Sequence, residues 1–127
     1  MHGSSTLPKN ERLQRGWQFR HAYENGRRIS GKLFVLYVVD HPPEARTTGA
    51  CATRAVGVVT SRQVGDAVTR NRARRLLREA YRLNKQKLRN NLQIVMVARN
   101  AIRGKKRQDV EAELLRLFRA AGILNET

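Results

Sequence analysis

The chain has 127 residues, 40% of them hydrophobic, which is enough for one modest core and too few for two ordinary domains. Lysine and arginine number 26 against 10 acidic residues, a net charge of +16, so a polyanion is the natural partner and an acidic pocket or tail is excluded as the functional centre. The single cysteine, Cys51, rules out an internal disulfide framework and cannot by itself build a Cys-based zinc site, as suits a reducing cytoplasm.

Residues 1–9, small and polar, read as a flexible start; they lack the apolar region of a secretory signal. Residues 10–122 read as one domain and 123–127 as a tail. The spacing predicts a helix over 10–25, capped by Asn10, with Leu13, Trp17 and Phe19 on its apolar turns and Gly26 as its stop. Trp17 is expected in the core, anchoring this helix to a sheet. Residues 33–39 are apolar and β-branched on both faces, as in a strand covered on both sides. Pro42, Pro43 and Gly49 make 41–53 a loop, and 55–60 is a second strand. After a connector over 61–65, Asp66 suits the N-cap of a helix reaching about residue 88. Asn90 and Asn91 break the pattern, and 92–99 is a third strand. A basic loop over 100–107 leads to an amphipathic helix over 108–121, with Val110, Leu114, Leu117, Phe118 and Ala121 on one face and Gly122 as its stop. The order α-β-β-α-β-α implies an α+β sandwich, one sheet packed by helices. No apolar run approaches the roughly 20 residues that span a bilayer, so no membrane partner is expected.

The charge is concentrated in the middle. Residues 54–107 hold 16 basic and two acidic residues, a net of +14, while 1–53 contribute +4 and 108–127 contribute −2. On a helix at about 100° per residue, Ala73, Leu76, Leu77, Ala80 and Leu83 share one arc, with Tyr81 at its edge. Asn71, Arg74, Arg75, Arg78 and Arg82 share the other. A solvated helix face normally alternates signs. Here Glu79 is the only acid between Val68 and Leu88, with Arg75 as one possible partner, so the remaining guanidinium groups repel across adjacent turns until a polyanion binds. Arginine suits phosphate because its planar fork binds two oxygens at once and stacks on bases. Asn71 is placed to donate to a phosphate or sugar, or to help hold a hydrated metal ion. Charge alone does not choose between DNA and RNA. The arginine helix is flanked by strands, which does not suit a helix-turn-helix reader of DNA.

The run Gly65-Asp66-Ala67-Val68-Thr69-Arg70-Asn71-Arg72-Ala73-Arg74-Arg75-Leu76-Leu77-Arg78-Glu79 resembles the signature of the bacterial ribonuclease P protein subunit. The resemblance extends over most of the chain, leaving out the first residues, 41–53 and the extreme C-terminus. It implies a left-handed β-α-β crossover within the sandwich, against the usual hand. It also implies binding to a large catalytic RNA that removes the 5′ leader of precursor tRNA. That RNA would hold the active site and the magnesium ions, and this chain would supply no catalytic residue and no metal ligand. By the same resemblance Arg62, Arg70, Asn71, Arg72, Arg74, Arg75, Arg78 and Arg82 would contact RNA. Phe19, Tyr23 and Tyr37 would line a cleft for the single-stranded leader, bordered by Arg74 and Arg78. Read from spacing alone, these three rings equally suit plain core. Lys105, Lys106 and Arg107, behind Gly104, would be auxiliary phosphate contacts or a solvated loop. Gln63 and Asp66 depart from the family pattern, which has a second basic residue and commonly Asn at those places. The family setting also implies a cytoplasmic protein.

Three other classes share parts of this pattern. A self-sufficient nuclease is disfavoured, because His2, His21 and His41 all lie towards the N-terminus and no paired carboxylates accompany the basic helix. Cys51, without a clear base partner, reads as an incidental thiol. A DNA-binding regulator lacks a dimerisation heptad. A ribosomal-type or generic structured-RNA-binding protein would show the same charge and is the alternative reading.

Overall fold

The computed structural model describes residues 12–13, 16–40, 54–89 and 91–124. The Asn10 cap, the flexible start, the 41–53 loop with His41 and Cys51, Asn90 and residues 125–127 fall outside them. Helix α1 (Gly16–Asn25) leads to β1 (Arg27–Ser30), β2 (Phe34–Asp40) and β3 (Arg54–Val59). Helix α2 (Ala67–Asn84), β4 (Leu92–Ala98) and α3 (Arg107–Ala121) follow. The expected architecture is present with one strand more. The four strands stand in the order β1-β2-β4-β3; β1–β2 and β2–β4 are antiparallel, and β3–β4 is parallel across the α2 crossover.

Strand β1 escapes a reading by periodicity because Arg27, Arg28 and Ser30 are exposed and only Ile29 is half-buried. Pairing makes it a strand: Arg27 opposes Val38 and Ser30 opposes Val35. Arg27 Nε donates to Asp40 Oδ2 at 3.1 Å, and Arg27 Nη1 to the Ala121 carbonyl at 2.8 Å. The buried Glu113 of α3 accepts the Leu33 N–H at 2.6 Å and holds the β1–β2 turn on the helix. A Cβ at Gly31 would come within 2.5 Å of that carboxylate, so the turn fits the carboxylate only without a side chain there.

The sheet is covered on both faces, as the apolar character of β2 predicts. Leu36, Val38, Ile94, Met96 and Val56 meet Ala73, Leu77, Ala80 and Tyr81 of α2 and Val110, Leu114, Leu117 and Phe118 of α3. Val39, Val95, Tyr37, Val59 and Val97 on the other face meet Ala22 and Phe19 of α1 and Leu13. Alternation along a strand sends neighbours to opposite faces, so both sides can be apolar.

Helix α2 is rotated slightly from the expected arc. Tyr81 and Asn84 are buried, while Leu76 and Leu83 are half-buried. Its cap is as expected, since Asp66 Oδ1 accepts the Thr69 N–H at 2.9 Å. The helix ends at Asn84 and tightens into a 3₁₀ turn, Lys85–Lys87. Gly122 closes α3 at φ 71°, in the left-handed region that glycine favours. The packed chain continues beyond it: Ile123 is buried, and Arg89 N–H donates to its carbonyl at 3.0 Å.

Trp17 corrects one expectation, for it lies outside the core with 49% of its surface exposed. Two residues along a helix turn about 200°, so Phe19, which faces the sheet, sends Trp17 to the opposite side.

Candidate nucleic-acid interface

Helix α2 presents its cations as the periodicity requires. Asn71, Arg72, Arg75 and Arg78 are exposed, and Arg70, Arg74 and Arg82 half-buried. Ala73, Leu77, Ala80 and Tyr81 anchor the opposite side. The stripe is braced by its own polar bonds. Arg74 Nη1 donates to Thr60 Oγ1 at 2.7 Å, and Arg74 Nη2 donates to Asn71 Oδ1. Glu79 pairs with Arg82, not Arg75: Nη2 lies 2.7 Å and Nε 3.1 Å from its carboxylate oxygens. That hydrogen bond holds the Glu79 carboxyl below the usual carboxylate range, with the Arg82 and Arg107 charges adding to it against some burial. Arg75 is left without this acid, because Arg82 approaches Glu79 from the next turn.

Two features flank the stripe. On one side Arg72 Nη2 donates to the Lys105 carbonyl at 2.9 Å, which sets Lys105, Lys106 and Arg107, all exposed, beside α2. Asp109 Oδ2 accepts the Lys106 N–H at 3.0 Å and fixes the start of α3 there. Arg62, also exposed, sits on the 3₁₀ turn Arg62–Val64 that leads into α2.

On the other side is a cleft at the β3 edge of the sheet. Leu13 N–H donates to the Val56 carbonyl at 2.9 Å, so Arg12 and Leu13 run alongside β3 in parallel. A cavity of about 240 Å³ lies between this segment and the helices, lined by Arg12, Leu13, Phe19, Val56, Gly57, Val58 and Arg78. Burial, reinforced by the Arg12 and Arg74 charges, lowers the Arg78 pKa from the usual arginine value. Arginine stays protonated regardless. Among the described residues the lining holds two cations and no acid, which leaves a place for an anion.

The aromatic residues are brought together across the sheet. Arg28, Tyr37, Val95 and Gly57 oppose one another in a single row through β1, β2, β4 and β3. Phe19 lies over the Gly57 end of that row, where a Cβ would stand 2.7 Å from its Cζ. One helical turn on, Tyr23 meets Tyr37 edge to face with ring centroids 5.0 Å apart. Tyr23 is 43% exposed, and Phe19 and Tyr37 are half-buried. The rings are thus neither plain core nor freely solvated. Burial first, and then the Tyr37 phenol, raise the Tyr23 pKa, so its hydroxyl stays a donor at neutral pH.

Sequence reasoning missed Arg12, Gly57 and Thr60. Gly57 read only as a weak point in a strand, and nothing local marks Arg12. Each acquires its place through long-range pairing with β3 or α2. Among the described residues no group of three or more His, Cys, Asp or Glu side chains is arranged to hold a metal ion. No helix among them is long and apolar enough to cross a membrane.

The sequence model of the Ribonuclease P family matches residues 7–122. The ribonuclease P protein component of Clostridium botulinum (strain Loch Maree / Type A3) is 36% identical over 118 residues, covering 92% of this chain and 99% of that protein. That of Clostridium novyi (strain NT) is 34% identical over 119 residues, covering 94% and 100%. Among solved structures, the Staphylococcus aureus RNase P protein superposes with a TM-score of 0.75 at 21% identity, over 91% of this chain and 98% of that one. The Thermotoga maritima RNase P protein gives 0.70 at 24%, over 86% and 96%. The structural likenesses speak for the fold, the sequence matches for common descent.

Proposed function

The chain belongs to the ribonuclease P protein family, and from that premise we propose that it binds the catalytic RNA through α2 and holds the 5′ leader of precursor tRNA in the cleft beside it. It is thereby the protein component of the endoribonuclease that matures tRNA 5′ ends, and the cut itself is made by the RNA. The comparisons lend nothing to the ribosomal-type alternative. One observation supports the reading above the rest: a braced stripe of arginines borders a cavity lined by Phe19, Arg12 and Arg78, with the Tyr23–Tyr37 ring pair one helical turn beyond Phe19.

In this reading Arg70, Asn71, Arg72 and Arg75 meet folded RNA backbone, with Arg62 before the helix and Lys105, Lys106 and Arg107 on its flank extending the contact. Arg82 contributes less, because Glu79 already engages its fork. Arg74 and Arg78, with Arg12, take leader phosphates at the cleft mouth. Phe19, Tyr23 and Tyr37 offer ring faces to leader bases, and stacking is worth about 1–3 kcal/mol per base with little sequence preference. That tolerance suits a protein that must accept many leaders. The phosphate contacts are sequence-independent as well, so affinity falls steeply with salt.

Magnesium ions belong to the RNA in this scheme and supply its hydrolytic chemistry. Asn71, the one side chain of the stripe suited to a hydrated ion, does not fit that role. Its Oδ1 accepts from Arg74 and its neighbours are cationic. The protein's part is to offset phosphate charge that magnesium would otherwise have to screen. Residence in the cytoplasm is part of the same proposal.

Reconstitution tests it. Purified protein mixed with ribonuclease P RNA at low magnesium should restore cleavage of precursor tRNA at the mature 5′ end, and neither component alone should do so. Protein that binds both RNAs without restoring cleavage would refute the assignment.

A further inference from the structure

The outer side of α1 takes no part in the function proposed above, yet it displays the chain's single tryptophan. Trp17 stands in the first turn of α1, half exposed, on the side opposite Phe19. Among the described residues the exposed large hydrophobics are Trp17, Tyr23 and Val68, and the two aromatic ones both belong to α1. A ring of this size gains much from burial, and an indole half in water keeps apolar area that a flat partner can cover. Arg20 is exposed one turn further on, at the i,i+3 spacing where helix side chains are neighbours, and the first turn carries no acid. An indole face beside a guanidinium group offers a base a stacking surface and its phosphate a charge. A second copy of this chain would bring another charge of +16 to the same place, which favours a polyanionic strand as the occupant.

We propose that Trp17 and Arg20 form a second stacking step for single-stranded RNA, taking leader nucleotides farther from the cleavage site than those held in the cleft. This rests on the cleft reading above. A strand leaving the cleft past Phe19 rounds the first turn of α1 to reach the indole. A helix with its side chains is about 10–12 Å across, so the path half-way round it is about 16–19 Å, a distance covered by about five stacked nucleotides at about 3.4 Å each. The step therefore serves only leaders long enough to reach it.

Because Trp17 is the only tryptophan, its emission reports on this position alone. In the reconstituted holoenzyme, a precursor with a long leader should quench that emission, while a precursor cut back to the few nucleotides that fill the cleft, or mature tRNA, should not. Trp17→Ala should weaken binding of the long-leader precursor by about 5- to 100-fold, leave the short-leader precursor within about twofold, and be largely rescued by Trp17→Phe. Circular dichroism of both variants should match the parent, since the residue lies outside the core. Equal losses for both leader lengths, or emission indifferent to the long leader, would overturn the second step. Discrimination by the parent protein between short-leader precursor and mature tRNA judges the cleft separately. With that discrimination intact, a silent Trp17→Ala removes only the proposal made here; without it, the cleft reading fails and this one with it.

Discussion

Phe19 and Gly57 are an interlocked pair: the ring occupies the volume that any side chain on the strand would need. Phe19 can therefore stand as the wall of the cleft only because β3 has no side chain beneath it. Gly57→Ala should push the ring outward and destabilise the fold by about 1–3 kcal/mol, the usual cost of overpacking. Phe19→Leu in the same chain should recover most of that stability in urea melts but not the binding of leader-bearing substrate. Recovery of both would show that the ring's position has no role in binding.

Charge on α2 should appear in the salt dependence. Replacing Arg70, Arg72 and Arg75 together with alanine removes three cations from the face assigned to the catalytic RNA, and the slope of log affinity against log salt should flatten by about 2 to 3. Filter binding to ribonuclease P RNA across a salt series measures it. An unchanged slope would assign the main RNA contact elsewhere.

The aromatic wall predicts a difference between substrates. Phe19→Ala combined with Tyr23→Ala should impair precursor tRNA by about tenfold or more in affinity while leaving mature tRNA nearly unaffected, since two stacking surfaces are lost. Competition binding of the two RNAs to the holoenzyme is the measurement. Equal impairment would place the rings in a purely structural role.

Glu113 predicts a stability effect remote from RNA. Its carboxylate takes the Leu33 N–H and pairs with Arg116 at 2.9 Å. Glu113→Ala strands a buried donor and should cost about 1–3 kcal/mol by denaturant titration. A change within about 0.5 kcal/mol would show that the β1–β2 turn does not depend on this bond.

Asp40 sets an acid limb. Burial works to raise its pKa, but hydrogen bonds from Arg89 and Arg27 and their charges prevail and hold it below the usual carboxylate value. A depressed carboxylate stabilises the fold fully above its unfolded pKa of about 3.9 and loses that contribution as pH falls through the lower folded value. The group is half-buried and its arginine partners reach solvent, so screening holds the contribution to about 1 kcal/mol or less. Asp40→Asn should lower the melting temperature slightly at pH 7 and by less at pH 2. An identical offset at both would exclude charge as its origin.

Much of the site was legible in order along the chain. A 3.6-residue period puts leucine and alanine on one side of residues 67–84 and arginine on the other, whatever the rest of the chain does. Asp66 before that run and Gly122 after the last helix are local signals, and local hydrogen bonds and backbone freedom honour them. Periodicity within a segment does not say which neighbour it meets. Strand β1 has a polar composition and exists by pairing with β2. Trp17 is exposed because α1 docks by Phe19 and Ala22, and Arg12 reaches the cleft because Leu13 pairs with Val56. Glu79 chose Arg82 over Arg75 through rotamers that spacing alone leaves open. The arginine stripe was thus a property of the sequence. The cleft beside it arises where segments distant in the chain pack together, and long-range packing is a property of the tertiary structure alone.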